Sequence, residues 1–268
     1  MKVGVFDSGI GGLTIFKSVT QACPQYDYIY LGDNARTPYG NRSFETILNF
    51  TTQAVDTLFS LDCKIIILAC NTASAKALRT IQQFYLPVKY PDRRVLGVIR
   101  PSAEKIAVEN QDVAIWGTQG TISSQSYPLE IEKLNPQLNV IQQACPLLVP
   151  LIENLEGDNQ GSDYFIKKYW EETLAQSPKI QSILLACTHY PLLQKQIEKI
   201  IPSSVKVFNQ SQFVAPAWSD YLRRHPELES CLTQNQLRNY LTTESPVLFN
   251  QLVKRLLKVS VRSKQVVF

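Results

Sequence analysis

Ile65-Ile66-Ile67-Leu68-Ala69-Cys70-Asn71-Thr72-Ala73 begins with four consecutive aliphatic residues, passes through Ala-Cys and continues into Asn-Thr. Apolar side chains on successive positions, rather than on alternate ones, mark a strand covered on both faces, as in a parallel sheet. Asn and Thr offer side-chain acceptors to the free N–H groups at the start of a helix. The stretch therefore predicts strand, turn and helix, the repeating unit of a parallel α/β fold. The same order returns at Ile183-Leu184-Leu185-Ala186-Cys187-Thr188-His189, an internal duplication.

Outward from this unit, short apolar runs predict strands at Val3–Phe6, Tyr28–Leu31, Val95–Ile99, Val113–Trp116, Val140–Gln142 and Val205–Phe208. Helical spacing predicts helices over Leu13–Ala22, Phe44–Ser60, Ala73–Phe84, Ser102–Val108, Tyr164–Gln176 and Leu192–Ile200. A last helix is predicted over Pro246–Leu257, with proline in its first turn. Lys89–Arg94 reads as a polar insertion before the fourth strand, and Glu156–Ser162 as an exposed loop.

With 268 residues, 44% of them hydrophobic and 19% charged, the chain is long enough for one large α/β domain or two lobes. Its net charge of +4 suits a small anionic substrate but equally a solvated basic face. Lys254, Arg255, Lys258, Arg262 and Lys264 read as the polar side of a terminal helix and tail, so no nucleic-acid partner is expected. Asp7 comes too early for a signal peptide, and no apolar run approaches the ~20 residues that span a bilayer. A soluble, cytoplasmic protein is expected. The six cysteines include no C-x-x-C pair, so reduced thiols are the default.

Ligands of open parallel sheets bind at the carboxyl ends of strands, where Cys70 and Cys187 both fall. A helix N-terminus favours the thiolate and should lower the thiol pKa from ~8.5. Core packing is the competing reading for any cysteine, and is the one adopted for Cys23, Cys63, Cys145 and Cys231. A disulfide oxidoreductase would place its thiols close together, and a metal site would need further ligands. A Cys–His hydrolase using Cys187 and His189 leaves the second thiol idle. Racemisation at a carbon needs two acid/bases, one on each face, and would use both.

After the first strand, Asp7-Ser8-Gly9-Ile10-Gly11-Gly12 is either a structural turn or a ligand loop, and it lacks the Gly-Lys-Ser/Thr of a P-loop. After the second strand comes a polar loop, Gly32-Asp33-Asn34-Ala35-Arg36-Thr37-Pro38-Tyr39-Gly40. Together with Ala69–Ala73, Gly97-Val98-Ile99, Gly117-Thr118-Gln119-Gly120-Thr121-Ile122 and Cys187-Thr188-His189-Tyr190-Pro191-Leu192-Leu193, these motifs run in order through most of residues 3 to 193. In this combination the chain resembles the glutamate racemases of bacterial cell-wall synthesis.

The resemblance implies an α/β fold of two similar three-layer parallel-sheet lobes, with the active site in the cleft between them. Residues 1–98 plus 210–268 would form the first lobe and 99–209 the second. It implies a cofactor-independent isomerase, with no pyridoxal phosphate and no metal, that supplies D-glutamate for peptidoglycan and so for cell shape. A homodimer is compatible with it. By the same resemblance Cys70 acts on D-glutamate and Cys187 on L-glutamate. Asp7 would assist Cys70, and His189 and Glu153 would assist Cys187. Asp7, Ser8, Tyr39, Gly40, Asn71, Thr72, Thr188 and His189 would contact substrate, with Thr118 and Thr121 as further candidates. One departure stands out: Asn209-Gln210-Ser211-Gln212 replaces the Asp-Ser-Gly-like turn of many glutamate racemases, and bears on the pocket floor or hinge. An aspartate racemase, the hydrolase and a non-catalytic two-lobed binding protein remain alternatives.

Overall fold

The computed structural model describes residues 1–109 and 112–268. Among the described residues ten strands follow in chain order: β1 (Lys2–Asp7), β2 (Tyr28–Gly32), β3 (Cys63–Leu68), β4 (Arg94–Gly97), β5 (Val113–Gly117), β6 (Val140–Ala144), β7 (Ser182–Ala186), β8 (Lys206–Asn209), β9 (Arg238–Thr242) and β10 (Ser263–Gln265). They form two sheets, β10-β9-β2-β1-β3-β4 and β6-β5-β7-β8, and every pairing is parallel. The order β2-β1-β3-β4 in the first is the order β6-β5-β7-β8 in the second, so β3 and β7 occupy equivalent places. The duplication seen around Cys70 and Cys187 is thus a duplication of topology.

Both sheets are covered on both faces. Ile65 and Ile67 of β3 enter one apolar cluster, Ile66 and Leu68 the opposite one. In the second sheet Ile183 and Leu185 of β7 face one way, Leu184 and Ala186 the other. The continuous apolar run is therefore required, because each alternate position has its own core to fill. Ile66 is fully buried, and Ile66→Ala is expected to cost about 2–5 kcal/mol in denaturant unfolding.

Several elements differ from the sequence-based expectation. The helix expected over Ala73–Phe84 is a helix at Asn71–Lys76, a short turn at Leu78–Thr80 and a π-helical turn at Ile81–Tyr85. Ala73, Ala77, Ile81 and Leu86 share one cluster, and the wider i→i+5 turn absorbs the five-residue step from Ile81 to Leu86. The strand expected at Val95–Ile99 stops at Gly97, and Ile99 opens the helix Ile99–Glu109, whose first turn accommodates Pro101. Within Glu156–Ser162 a helix has already begun at Gln160, capped by Asn159. β9 and β10 were not anticipated: they are short and largely polar, and extend one edge of the first sheet. Lys264, expected in a tail, lies in β10. Among the described residues no helix is long and apolar enough to cross a membrane.

Candidate active site

The strand ends of the two sheets meet. β1 delivers Asp7, and β3 leads through Ala69 to Cys70, the N-cap of helix Asn71–Lys76. In the second sheet, β5 leads to Thr118, the N-cap of helix Gln119–Ser123, and β7 leads to Cys187, Thr188 and His189. Ser8, Tyr39, Gly40, Cys70, Asn71 and Thr72 line one side of a small cavity of about 20 Å³. Thr118, Cys187, Thr188 and His189 line the other. Both thiols therefore face one space, approached from different sheets. That volume holds about one water, so a larger ligand would have to part the two sides to enter.

The seam between the sheets is stitched by short contacts. Thr188 Oγ1 donates to Asp7 Oδ1 (3.2 Å), and Gly120 N donates to Gly40 O (2.7 Å). Thr72 and Thr118 hydroxyls lie 2.9 Å apart, with Thr121 3.1 Å from Thr118. A Cβ on Gly120 would sit 2.9 Å from Gly40 O, so only glycine allows this approach.

Electrostatics differ between the two sides. Burial is the largest influence on Cys70 and pushes its thiol up to about 12, aided by the nearby Asp7 carboxylate. Hydrogen bonds with Ser8 (3.4 Å) and from Ala73 N (3.5 Å) oppose this only partly. The expected lowering by the helix terminus is thus overturned for Cys70: the helix has six residues, while desolvation penalises the thiolate directly. Burial likewise raises the Asp7 carboxyl, against His189 and the Gly12, Gly9 and Thr188 hydrogen bonds. Burial also opposes charge on His189, but Cys187 and Glu153 outweigh it and push the imidazole up to about 10. His189 Nε2 lies 2.9 Å from Glu153 Oε1.

Three of the sequence-derived residues lie behind the cavity wall. Asp7 is fully buried beneath Gly9 and Thr188, Glu153 reaches the site through His189, and Thr121 supports Thr118. The structure adds residues that sequence reasoning passed over. Thr37, Pro38 and Val149 line the cavity, and the Thr37 hydroxyl is buried without a hydrogen-bond partner. The buried Asp33 accepts from Tyr39 OH, from Thr243 Oγ1 (2.8 Å) and from Arg36 Nε (2.7 Å), which fixes the Tyr39 loop. The polar loop Gly32–Gly40 contained Thr37 and Asp33, but nothing local distinguished them from other loop residues.

The family described as Asp/Glu/Hydantoin racemase matches residues 4–214. A glutamate racemase of Dinoroseobacter shibae is 37% identical over 258 residues, covering 92% of each chain. Among solved structures, a glutamate racemase of Bacillus anthracis superposes with a TM-score of 0.88 at 30% identity, covering 100% of this chain and 97% of that one. One from Francisella tularensis, solved in complex with D-glutamate, gives 0.86 at 33% identity, covering 99% and 97%.

Proposed function

The chain belongs to the Asp/Glu/hydantoin racemase family, and we propose that it interconverts L- and D-glutamate, without a cofactor, by two-base proton transfer between Cys70 and Cys187. One observation carries this reading: two thiols at equivalent strand ends of two like sheets open into the same small cavity. A hydrolase would need only one of them.

From D-glutamate, Cys70 removes the α-proton as a thiolate, and Cys187 delivers a proton to the opposite face as a thiol. From L-glutamate the roles reverse. The high proton affinity of Cys70 suits it to the acid role at rest, and the substrate ammonium beside it would favour the thiolate needed in the other direction. Asp7, below the Ser8–Gly12 turn, would assist Cys70, and the His189–Glu153 pair would assist Cys187. Ser8, Tyr39, Gly40, Asn71, Thr72, Thr118 and Thr188 would hold the substrate's carboxylates and ammonium, with the Thr37 hydroxyl as an added partner. Lobes of residues 1–98 with 210–268, and of 99–209, would part to admit substrate and close to exclude water. In the cytoplasm the product would serve peptidoglycan synthesis.

The test is incubation of the purified protein with L-glutamate in D₂O, following chirality and α-deuterium together. Inversion with deuterium incorporation is expected. Absence of both would refute the reading, and faster turnover of aspartate would shift it to the other amino acid.

His189, whose charged form Cys187 and Glu153 favour, also predicts a pH dependence. With the folded imidazole raised to about 10 from an ordinary value near ~6.5, its contribution to stability is complete below the unfolded value. It is lost as pH rises through the folded one. The difference in Tm between the unmodified protein and His189→Gln should therefore shrink between about pH 7 and pH 10.5. A constant difference would show that the imidazole is not held protonated.

A further inference from the structure

Asn209-Gln210-Ser211, where the chain passes from β8 into helix Ser211–Arg224, holds a buried polar network that meets the proposed substrate contacts only at Asn71. Tyr127 OH donates to Asn71 Oδ1 (2.7 Å), Asn71 Nδ2 donates to Gln210 Oε1 (2.5 Å), and Gln210 Nε2 donates back to Tyr127 OH (2.6 Å). The three side chains form a closed ring. Gln210 Nε2 also reaches Ser102 Oγ (3.0 Å) and Val98 O (3.4 Å), and Ser102 Oγ donates to Val98 O (2.8 Å).

Donors and acceptors match throughout this network. The single protons of Tyr127 and Ser102 are committed to Asn71 and Val98, so both can only accept from Gln210. Turning either carboxamide over would set oxygen against oxygen, and the site is too buried for water to repair the loss: Gln210 is 2% and Tyr127 0% exposed. The ring also joins parts that lie far apart in the chain. Asn71 follows Cys70 at the end of β3, Tyr127 lies on helix Ser126–Glu132 beside the second sheet, and Gln210 and Val98 mark the two chain crossings between the sheets.

Resting on the glutamate reading above, we propose that Gln210 is a positioning residue for the Cys70 half-reaction: with Tyr127 it fixes the Asn71 carboxamide, and with it the helix turn that carries the Cys70 thiol, against the second sheet. The ring occupies the Asn71 carbonyl and one of its two N–H donors. Its remaining N–H is left for the cavity that Asn71 lines.

The test uses Gln210→Ala and the near-isosteric Tyr127→Phe, with Gln212→Ala, an exposed neighbour, as control. The enantiomers are equally stable, so kcat/KM must fall equally in both directions, and rates alone cannot locate the damage. α-Deuterated D- and L-glutamate can. Each ring variant is expected to lower kcat about tenfold or more with a smaller change in KM. The isotope effect should rise from the D-enantiomer, whose hydrogen Cys70 removes. It should fall from the L-enantiomer, because the Cys70 step becomes limiting. Gln212→Ala should match the unmodified protein. Unchanged kcat in a folded Tyr127→Phe, or isotope effects that stay symmetric while activity falls, overturns the proposal. Should Gln210→Ala not fold, Tyr127→Phe decides alone. An unmodified protein inactive on glutamate overturns the functional reading, and this inference with it.

Discussion

Cys70→Ala and Cys187→Ala are each expected to lower racemisation by about 10³-fold or more, because in the proposed mechanism each removes an acid/base that nothing else in the cavity replaces. The four other cysteines lie outside the cavity lining, and His189 is tied to Glu153. The two losses should differ in what survives. With Cys70 gone, Cys187 retains access to one face of the carbon, so slow α-deuterium uptake by L-glutamate without inversion is the most that can remain. With Cys187 gone, the corresponding exchange is confined to D-glutamate. Chiral separation with mass analysis in D₂O reads both at once. Full inversion by either variant would end the two-base mechanism, and loss of inversion with exchange in the wrong enantiomer would reverse the assignment of faces. Neither substitution should unfold the protein, since each removes one buried sulfur, and a shift in Tm beyond a few degrees would call for the Ser variants instead.

The sites that sequence reasoning located were those with a local chemical signature. Ile65–Leu68 announces a doubly covered strand because each residue has a core to fill on its own side. Cys70 and Cys187 stand out because the same strand–thiol–cap order occurs twice. Polar segments told less. β10, Ser-Lys-Gln, is a strand only because β9 offers it an edge, and β9 is placed by β2. The raised Cys70 pKa could not be read from its capping position, since burial and the charge of Asp7 arise from packing between distant segments. Gln210 is the extreme case. In sequence it was a departure from a family turn, and its three side-chain partners Asn71, Tyr127 and Ser102 come from three separate helices.

Gly11→Ala is expected to lower kcat/KM by about 100-fold or more while leaving the first sheet intact. No glycine among the described residues has a positive φ, so alanine at this position is not opposed by its own backbone. What opposes it is room. A Cβ on Gly11 would stand 2.5 Å from His189 Nδ1 and 2.6 Å from Thr188 Oγ1, both from the segment after β7. One methyl group therefore pushes on the imidazole proposed to assist Cys187 and on the hydroxyl that bonds Asp7 across the seam. Thr14 Oγ1, 3.3 Å from Thr188 O, would part with them. The damage is thus concentrated where the two sheets must close, and a steady-state assay in both directions should show it while the melting temperature moves by a few degrees at most. Displacing His189 from Glu153 should also weaken the pH-dependent difference in stability predicted for His189→Gln. If Gly11→Ala retains full activity, the seam between Gly11 and His189 is open when the proton is transferred, and closure of the cleft is not part of the catalytic step.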